Sequence, residues 1–192
     1  MIKVVAINGS ARPDGNTAIM IRRVLKELER EGIETELIQL AGLNIQGCCA
    51  CYKCVAAKNK RCSVTSDVIN DCIAKMEKAD GIILGSPTYF ADCTSSMKSL
   101  IDRTGFVSRA NGHMFSRKVG AAVVSVRRAG AIHAFDTLNH FFTINSMIVV
   151  GSSYWNIGLG RNIGDVEQDH EGMQTMATLG INMAWLLKKV NG

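Results

Sequence analysis

Short apolar runs alternate with helical patterns along the chain, and this alternation limits the possible fold more than any other feature. The runs cover residues 3–7, 35–40, 81–84, 119–126 and 147–150 and have the composition of buried strands. Apolar residues at three- and four-residue spacing predict helices over 17–31, 66–78, 94–104, 131–143 and 171–190, with Ser66 as an N-cap. Strands that alternate with helices form βαβ units, so we expect a parallel sheet with helices on both faces.

The number of strands narrows this α/β class further. The chain has 192 residues, which is enough for one domain with a sizeable core. Five strands in this length favour the flavodoxin-like, three-layer doubly wound fold, with a five-stranded parallel sheet of order 2-1-3-4-5. A segment at about 44–65 is long for a βα connection and rich in cysteine. We therefore predict a single domain over 1–192 that carries a cysteine-rich linker.

Charge and hydropathy argue against nucleic-acid and membrane partners. The net charge is +5, but the basic residues are scattered and form no block or aromatic-interleaved stripe. The longest apolar runs are far too short to cross a bilayer. The N-terminus lacks the features of a signal peptide, and seven cysteines without a secretory signal are typical of a reducing compartment. We therefore expect a cytoplasmic protein with reduced thiols.

The loop after the first predicted strand has the composition of a phosphate site. In a doubly wound sheet, ligands bind beyond the carboxyl ends of the strands. Small and polar residues here leave backbone N–H groups free, and the next helix adds its own N–H groups and positive dipole end. The candidate ligands are Ser10, Arg12, Gly15, Asn16 and Thr17. The loop is neither a Walker A loop nor a G-x-G-x-x-G fingerprint. The alternative is an ordinary βα turn with an Asn cap.

The segment GSARPDGNT, residues 9–17, resembles the phosphate loop of the NADPH-dependent FMN reductase group of flavodoxin-like proteins. The likeness extends across most of the chain. It implies FMN as the cofactor, with its phosphate held by Ser10, Arg12, Asn16 and Thr17. It also implies NAD(P)H as an electron donor, although the sequence contains no dedicated nicotinamide site.

Two further loops are predicted to contact the flavin. After the third strand come Ser86, Pro87, Thr88, Tyr89 and Phe90, which are similar to the Ser-Pro-x-Tyr motif that touches the flavin ring in this group. After the fourth strand come Arg127, Arg128, Ala129 and Gly130, where relatives have an Arg-Asn-Gly-Gly core of which only an arginine and one glycine remain. An arginine here would lie near the flavin N1–C2 region, where negative charge collects on reduction. For the loop after the third strand, the alternative is that its two aromatic residues pack against a helix. For the loop after the fourth strand, the alternative is that its two arginines are exposed to solvent and have no ligand.

Four cysteines in the linker follow the spacing C-x2-C-x2-C-x7-C, and they are Cys48, Cys51, Cys54 and Cys62. Two-residue spacing repeated twice is typical of a ferredoxin-type cluster loop. Zinc more often uses two C-x2-C pairs separated by a longer gap. A disulfide or plain buried thiols, without any metal, are the third interpretation. From spacing alone all three stay open, while Cys72 and Cys93 lie in helical patterns and are expected to be buried.

The iron–sulfur flavoproteins, a subgroup of the FMN reductase group, carry a C-x2-C-x2-C-x(4–7)-C motif in this linker, and the present sequence is similar to it at the upper length limit. The resemblance implies that Cys48, Cys51, Cys54 and Cys62 bind a [4Fe–4S] cluster. It also suggests a reduced ferredoxin-type protein as an electron donor. The cysteines are flanked by four basic residues, which would either offset thiolate charge or dock an acidic carrier protein; they are Lys53, Lys58, Lys60 and Arg61.

These expectations predict an FMN-dependent oxidoreductase that couples two-electron flavin chemistry to one-electron chemistry. The chemistry would belong to the flavin, so no catalytic side chain is predicted. One alternative is a cluster-free NAD(P)H:FMN or quinone reductase, and another is a non-enzymatic flavodoxin-like electron carrier. A homodimer or homotetramer is expected, because a neighbouring subunit could cover the exposed flavin face. We interpret the glycine-rich segment 151–164 as such a cover or contact.

Overall fold

The computed structural model describes residues 1–192. Its strands are β1 (Lys3–Asn8), β2 (Glu34–Gln39), β3 (Gly81–Pro87), β4 (Val119–Val126), β5 (Ile148–Val149) and β6 (Ile157–Leu159). Its α-helices are α1 (Asn16–Arg30), α2 (Lys53–Ala57), α3 (Ile69–Lys78), α4 (Ser95–Ala110), α5 (Ala131–Ile144) and α6 (His170–Asn191), and a 3-10 turn spans Asp165–Gln168. Every element expected from the sequence is present, whereas α2 and β6 were not expected.

The strands form one parallel sheet in the order β2-β1-β3-β4-β5, which confirms the predicted order. The fifth position differs from the expected continuous strand because two short strands share it. β5 pairs with the start of β4 at Val119 and Gly120, while β6 pairs with its end, from Val124 to Val126. The intervening residues leave the sheet. As a result, the loop after β6 rather than the loop after β5 reaches the carboxyl edge beside β4.

Helices cover both faces of the sheet, as the alternating pattern predicted. Side chains of β1 alternate between the two layers: Val5 and Ile7 join the core under α3, α4 and α5, whereas Val4 and Ala6 join the core under α1 and α6. All eight residues of β4 are buried, which explains its continuous apolar sequence. No helix is long and apolar enough to span a membrane.

The start of α3 corrects one prediction. Ser66 was expected to be the N-cap, but the helix begins at Ile69 and the cap position is Val68, which makes no side-chain cap bond. Asp67 takes over part of this role, because its Oδ1 accepts a hydrogen bond from the Ile69 N–H at 3.2 Å. The Asp67 carboxylate also accepts from the Gln46 N–H at 3.1 Å, so it joins the start of α3 to the start of the cysteine linker.

Candidate functional site

Loops after β1, β3, β4 and β6 border one cleft at the carboxyl edge of the sheet. Its lining consists of Ser10, Arg12, Gly15, Asn16, Thr17, Pro87, Thr88, Tyr89, Ser125, Val126, Arg127, Gly160 and Arg161. The five candidate phosphate ligands therefore lie together, next to the last residue of β3, two residues of the loop after it and one arginine of the loop after β4. Five other candidates do not border the cleft, namely Ser86, Phe90, Arg128, Ala129 and Gly130.

The loop after β1 folds into a compact turn through its own hydrogen bonds. The Ser10 N–H donates to Asn8 Oδ1 at 3.0 Å, and the Arg12 N–H donates to Ser10 Oγ at 3.0 Å. Helix α1 then starts after Gly15 with no side-chain cap and no acidic residue in its first turn. The first N–H groups of a helix lack intrahelical partners and carry positive partial charge. This end of the cleft therefore suits a phosphate group.

Asn16 ties the loop after β6 to the start of α1. Its Nδ2 donates to the Asn162 carbonyl at 2.8 Å, and its Oδ1 accepts from the Gly164 N–H at 3.0 Å. Arg12 adds a second tie, because its Nη1 donates to the Arg161 carbonyl at 3.2 Å. The Asn16 side chain, expected to hold phosphate, is thus also the anchor of a neighbouring loop.

Arg161 and Ser125 border the cleft but were missed by sequence reasoning. Arg161 lies in the segment 151–164 that was interpreted as a cover or contact, but β6 is too short to be recognised from periodicity, so the sequence did not single out this arginine as a cleft residue. Ser125 lies inside the apolar run of β4. Its hydroxyl is 2.7 Å from that of Thr17, and its carbonyl accepts from the Thr88 N–H at 2.8 Å. Ser125 thereby connects the end of β4 to the first turn of α1 and to the loop after β3.

The segment after β3 makes a tight turn that separates its two aromatic residues. Tyr89 and Asp92 exchange backbone hydrogen bonds of 2.8 and 3.0 Å, and Phe90 and Ala91 have φ values of 47° and 64°. Tyr89 borders the cleft, whereas the Phe90 side chain is fully exposed at the tip of the turn. Only Tyr89 therefore lies where a ring in the cleft could contact it.

The remaining candidates have structural positions. Ser86 is buried, donates to the Pro87 carbonyl at 2.9 Å and accepts from the Thr94 N–H at 3.0 Å, which fixes the start of α4. Gly130 precedes α5 with φ 85°, a conformation that favours glycine, and a Cβ there would lie 3.3 Å from Ala91. Arg128 and Ala129 are exposed on the loop between β4 and α5.

The four candidate metal ligands lie around one small pocket in the linker. Cys48, Cys51, Cys54 and Cys62 border it, together with Cys49, Tyr52, Arg103, Phe106 and other residues. All seven cysteines are free thiols. As the side chains stand, no group of three His, Cys, Asp or Glu residues is arranged to hold a metal ion. The fold therefore gathers the four thiols at one pocket without bringing them into a finished metal centre.

The backbone of the linker is bent by an unusual run of left-handed residues. Ala50, Tyr52, Lys58 and Lys60 have φ values of 50°, 54°, 46° and 61°. Each such non-glycine residue costs about 1–2 kcal/mol and persists only where its surroundings hold it. Tyr52 and Lys58 flank the five-residue helix α2, which carries Cys54. The bends turn the chain around the cysteine pocket.

The environments of the thiols differ. A hydrogen bond with the Ser63 hydroxyl at 3.2 Å, helped by the Lys53 N–H, lowers the pKa of Cys51 to about 7. Partial burial raises the pKa of Cys54. Burial raises the pKa values of Cys72 and Cys93 to about 12, and both are buried as predicted. The lowered pKa gives Cys51 thiolate character near neutral pH, in contrast to the buried Cys72 and Cys93.

Arg103 of α4 is a buried side chain beside this pocket that sequence reasoning missed. It is 1 % exposed. Its Nε donates to Cys62 Sγ at 3.3 Å, and its Nη1 is ion-paired with the Asp67 carboxylate. Burial alone would lower the Arg103 pKa, but Asp67 and Cys62 outweigh it and the pKa is raised. The only signal in the sequence was an arginine among apolar residues on the buried face of a helix.

Comparison with known proteins identifies the family. The family profile described as NADPH-dependent FMN reductase matches residues 2–162. The chain belongs to the NADPH-dependent FMN reductase family. This membership makes it an FMN-dependent flavoprotein of the flavin oxidoreductase type.

Similar proteins agree with this assignment. An iron-sulfur flavoprotein of Methanocaldococcus jannaschii is 37% identical over 196 residues, covering 98% of this chain and 99% of the relative. An iron-sulfur flavoprotein of Methanosarcina thermophila is 30% identical over 178 residues, covering 92% and 90%. The flavodoxin-like WrbA-like protein of Agrobacterium tumefaciens superposes with a TM-score of 0.68 at 15% identity, covering 98% of this chain and 99% of that one. The last comparison supports the flavodoxin-like fold alone.

Proposed function

We propose that this protein transfers electrons between FMN in the cleft and a [4Fe–4S] cluster bound by Cys48, Cys51, Cys54 and Cys62. The observation that carries the proposal is the convergence of these four thiols on one pocket in the linker of an FMN reductase fold. Relatives that align over nearly the whole chain are named iron-sulfur flavoproteins. Thiolate is the ligand type that iron–sulfur clusters require.

The residues of the cleft fit FMN part by part. Ser10, Thr17 and the first N–H groups of α1 suit the phosphate, with Arg12 supplying a positive charge. Pro87, Thr88 and Tyr89 border the part of the cleft next to β3, where a flat ring would lie. When bound, FMN supplies hydride and single-electron transfer.

Two further arginines add positive charge to the cleft beside that of Arg12. Arg127 follows β4 and Arg161 follows β6, and both are exposed side chains of the cleft lining. Positive charge near the flavin favours its reduced, anionic form. We propose that both side chains stabilise negative charge in the cleft.

The cysteine pocket fits a cluster in its donor set and its surroundings. Apolar and aromatic groups of Tyr52, Phe106 and Val107 border it, and a buried arginine donates to one thiol. The left-handed backbone around α2 is a second observation in favour, because strain of this kind gathers at functional loops. Since the thiols do not yet form a metal group, cluster binding would draw the side chains together.

The electron donor belongs to the proposal as well. NAD(P)H would reduce the flavin by hydride transfer through the open side of the cleft. A ferredoxin-type protein would instead deliver single electrons, and the exposed Lys53, Lys58 and Arg61 beside the cysteines suit an acidic surface.

A homodimer or homotetramer is also part of the proposal. Such an assembly would bury the exposed Tyr154 and Trp155, whose rings pack together with centroids 5.0 Å apart.

A cluster-free NAD(P)H:FMN or quinone reductase is the second candidate. One observation favours it: no three potential ligands in the linker are arranged to hold a metal ion. In that case the cysteines would be structural, and the protein would turn over NADPH and a quinone with FMN alone.

Anaerobic purification followed by absorption spectroscopy and iron and sulfide analysis separates the two candidates. The proposal predicts flavin bands on top of broad iron–sulfur absorption, together with acid-labile sulfide. Flavin bands alone, with NADPH-driven quinone reduction, would favour the cluster-free reductase. Zinc in place of iron would remove the redox role of the linker but leave the flavin assignment intact.

A further inference from the structure

Arg103 lies where the two ends of the cysteine linker meet. Its Nη1 donates to the Gln46 carbonyl at 3.0 Å, and its Nη2 donates to the Val64 carbonyl at 3.0 Å. All four candidate ligands lie between these two residues in the sequence. One guanidinium therefore holds the two ends of the loop that carries the cysteines close together.

The same guanidinium is attached to the rest of the fold by a buried ion pair. The Asp67 side chain is 3% exposed and that of Arg103 is 1% exposed, so neither charge is screened by solvent. A buried arginine needs such a partner, because a single unpaired charge in this position would be strongly destabilising. The pair anchors the linker to α4 on one side and to the start of α3 on the other.

Hydrogen bonds hold both the backbone and the sulfur of Cys62. Its N–H donates to Asn70 Oδ1 at 2.8 Å, and its carbonyl accepts from Asn70 Nδ2 at 3.1 Å. Its Sγ accepts from Arg103 Nε at 3.3 Å. The position and the electrostatic environment of this sulfur are thus set by residues of α3 and α4, outside the cysteine linker.

We propose that Arg103 is a positioning residue of the cysteine pocket, which closes the linker between Gln46 and Val64 and makes a cluster bound there easier to reduce. The inference rests on the proposed function. One-electron reduction adds one negative charge to a cluster and its thiolates. A fixed positive charge that donates a hydrogen bond to a ligand sulfur stabilises that added charge and moves the reduction potential to less negative values. Arg103 is not consumed and transfers no proton.

Two substitutions separate the two parts of this role. Arg103→Lys keeps one positive charge but lacks the planar fork that reaches Cys62, Gln46 and Val64 together. Arg103→Met combined with Asp67→Asn removes both charges, so no unpaired carboxylate remains in the interior. Arg109→Met is the matched control, because this arginine lies on the exposed side of the same helix.

The experiment measures iron, sulfide and FMN content and the midpoint potential of the cluster by spectroscopic titration. In a cluster-free preparation of each variant it also measures the alkylation rate of the Cys62 thiol as a function of pH, and the plateau rates at alkaline pH are compared, because they report access to the sulfur rather than its thiolate fraction. We expect a more negative cluster potential in Arg103→Lys, partial or complete loss of iron in the double variant, and faster Cys62 alkylation in both. FMN content should stay unchanged, and Arg109→Met should resemble the wild-type protein in every reading.

The outcomes separate this inference from the function on which it rests. If the wild-type protein holds FMN but no iron or sulfide, the cluster proposal fails, and the alkylation rates still decide whether Arg103 closes the linker. If the cluster is present but both Arg103 variants keep its potential, its iron content and the slow alkylation of Cys62, the inference about Arg103 is overturned.

Discussion

The Oδ1 atom of Asn16 accepts a hydrogen bond from the Gly164 N–H at 3.0 Å, which joins the first turn of α1 to the loop after β6. The two residues are far apart in the sequence: Asn16 borders the cleft, and Gly164 belongs to the loop whose residues Gly160 and Arg161 border it from the other side. The hydrogen bond means that the candidate phosphate loop and the loop that carries Arg161 are held as one unit. Loss of either partner should therefore loosen both loops.

Substitution of Asn16 by Ala should weaken FMN binding about tenfold. The change removes bonds to Asn162 and Gly164, and each hydrogen bond of this kind contributes about 1 kcal/mol. Quenching of FMN fluorescence on titration into apoprotein measures the dissociation constant. Asn182→Ala is a suitable control, because this residue bonds the Gly151 carbonyl away from the cleft. Equal FMN affinity in both variants would contradict the proposed tie.

Gly160→Ala should have a similar effect for a steric reason. A Cβ at this position would lie 2.6 Å from Asn16 Nδ2 and 2.8 Å from the Val166 nitrogen, closer than real contacts allow. The loop must then shift, at a cost of about 1–3 kcal/mol. Gly151→Ala provides the comparison, because nothing lies within 4 Å of the position that its new methyl group would occupy. The prediction is wrong if thermal unfolding and FMN titration do not distinguish the two variants.

The neighbouring arginines after β4 should behave differently. Arg127 borders the cleft and Arg128 does not. Arg127→Ala should weaken FMN binding several-fold, and the loss should shrink as salt is added, since the interaction is electrostatic and exposed. Arg128→Ala should change the affinity little at any salt concentration. A stronger effect at Arg128 would mean that the loop binds the flavin in another orientation.

The acid stability of the fold should depend on Glu27 of α1. A hydrogen bond from Arg23, supported by Arg30, lowers the pKa of this buried carboxyl against the opposing effect of burial. Because the folded-state pKa lies below the ordinary value of 4.5, the stabilisation is complete above that value and is lost as the pH falls through the folded-state pKa. Glu27→Gln should flatten this part of the stability profile, measured by urea unfolding from pH 7 to pH 3. Glu167→Gln, at an exposed position, should not.

The sheet order and most residues of the cleft could be predicted from the sequence, for clear physical reasons. A fully buried strand such as β4 needs a continuous apolar run, and ligand loops must follow strands at one edge of a parallel sheet. β6 was missed because three residues are too few for periodicity to be visible. Position 158 of β6 requires a glycine, because a Cβ there would lie 2.7 Å from Met20 and Val166. This requirement comes from tertiary packing and is not visible in any local sequence pattern.

The buried ion pair of Arg103 and Asp67 was not identified from the sequence for a different reason. Arg103 and Asp67 act together, but 36 residues separate them in the chain, and the one local signal, an arginine among apolar residues of α4, does not identify its partner. Pairing across the fold is what makes a buried charge tolerable. Composition and spacing could identify the four cysteines, yet they could not identify the guanidinium that closes their loop.

Individual cysteines should separate cluster binding from flavin binding. Cys54→Ala should lose iron and sulfide but keep FMN, because the linker and the cleft are built from different loops. Cys49→Ala is the matched control: it also borders the pocket but lies outside the ligand spacing, so it should keep the cluster. Loss of FMN together with iron in Cys54→Ala would mean that the two sites depend on one another.

The most direct test of the proposed function is the cofactor content of the anaerobically purified wild-type chain. We predict FMN together with about four iron atoms and about four acid-labile sulfides per chain, as a [4Fe–4S] cluster on Cys48, Cys51, Cys54 and Cys62 requires. FMN at full occupancy with neither iron nor sulfide would contradict the proposal and leave a flavin reductase with four unmetallated thiols.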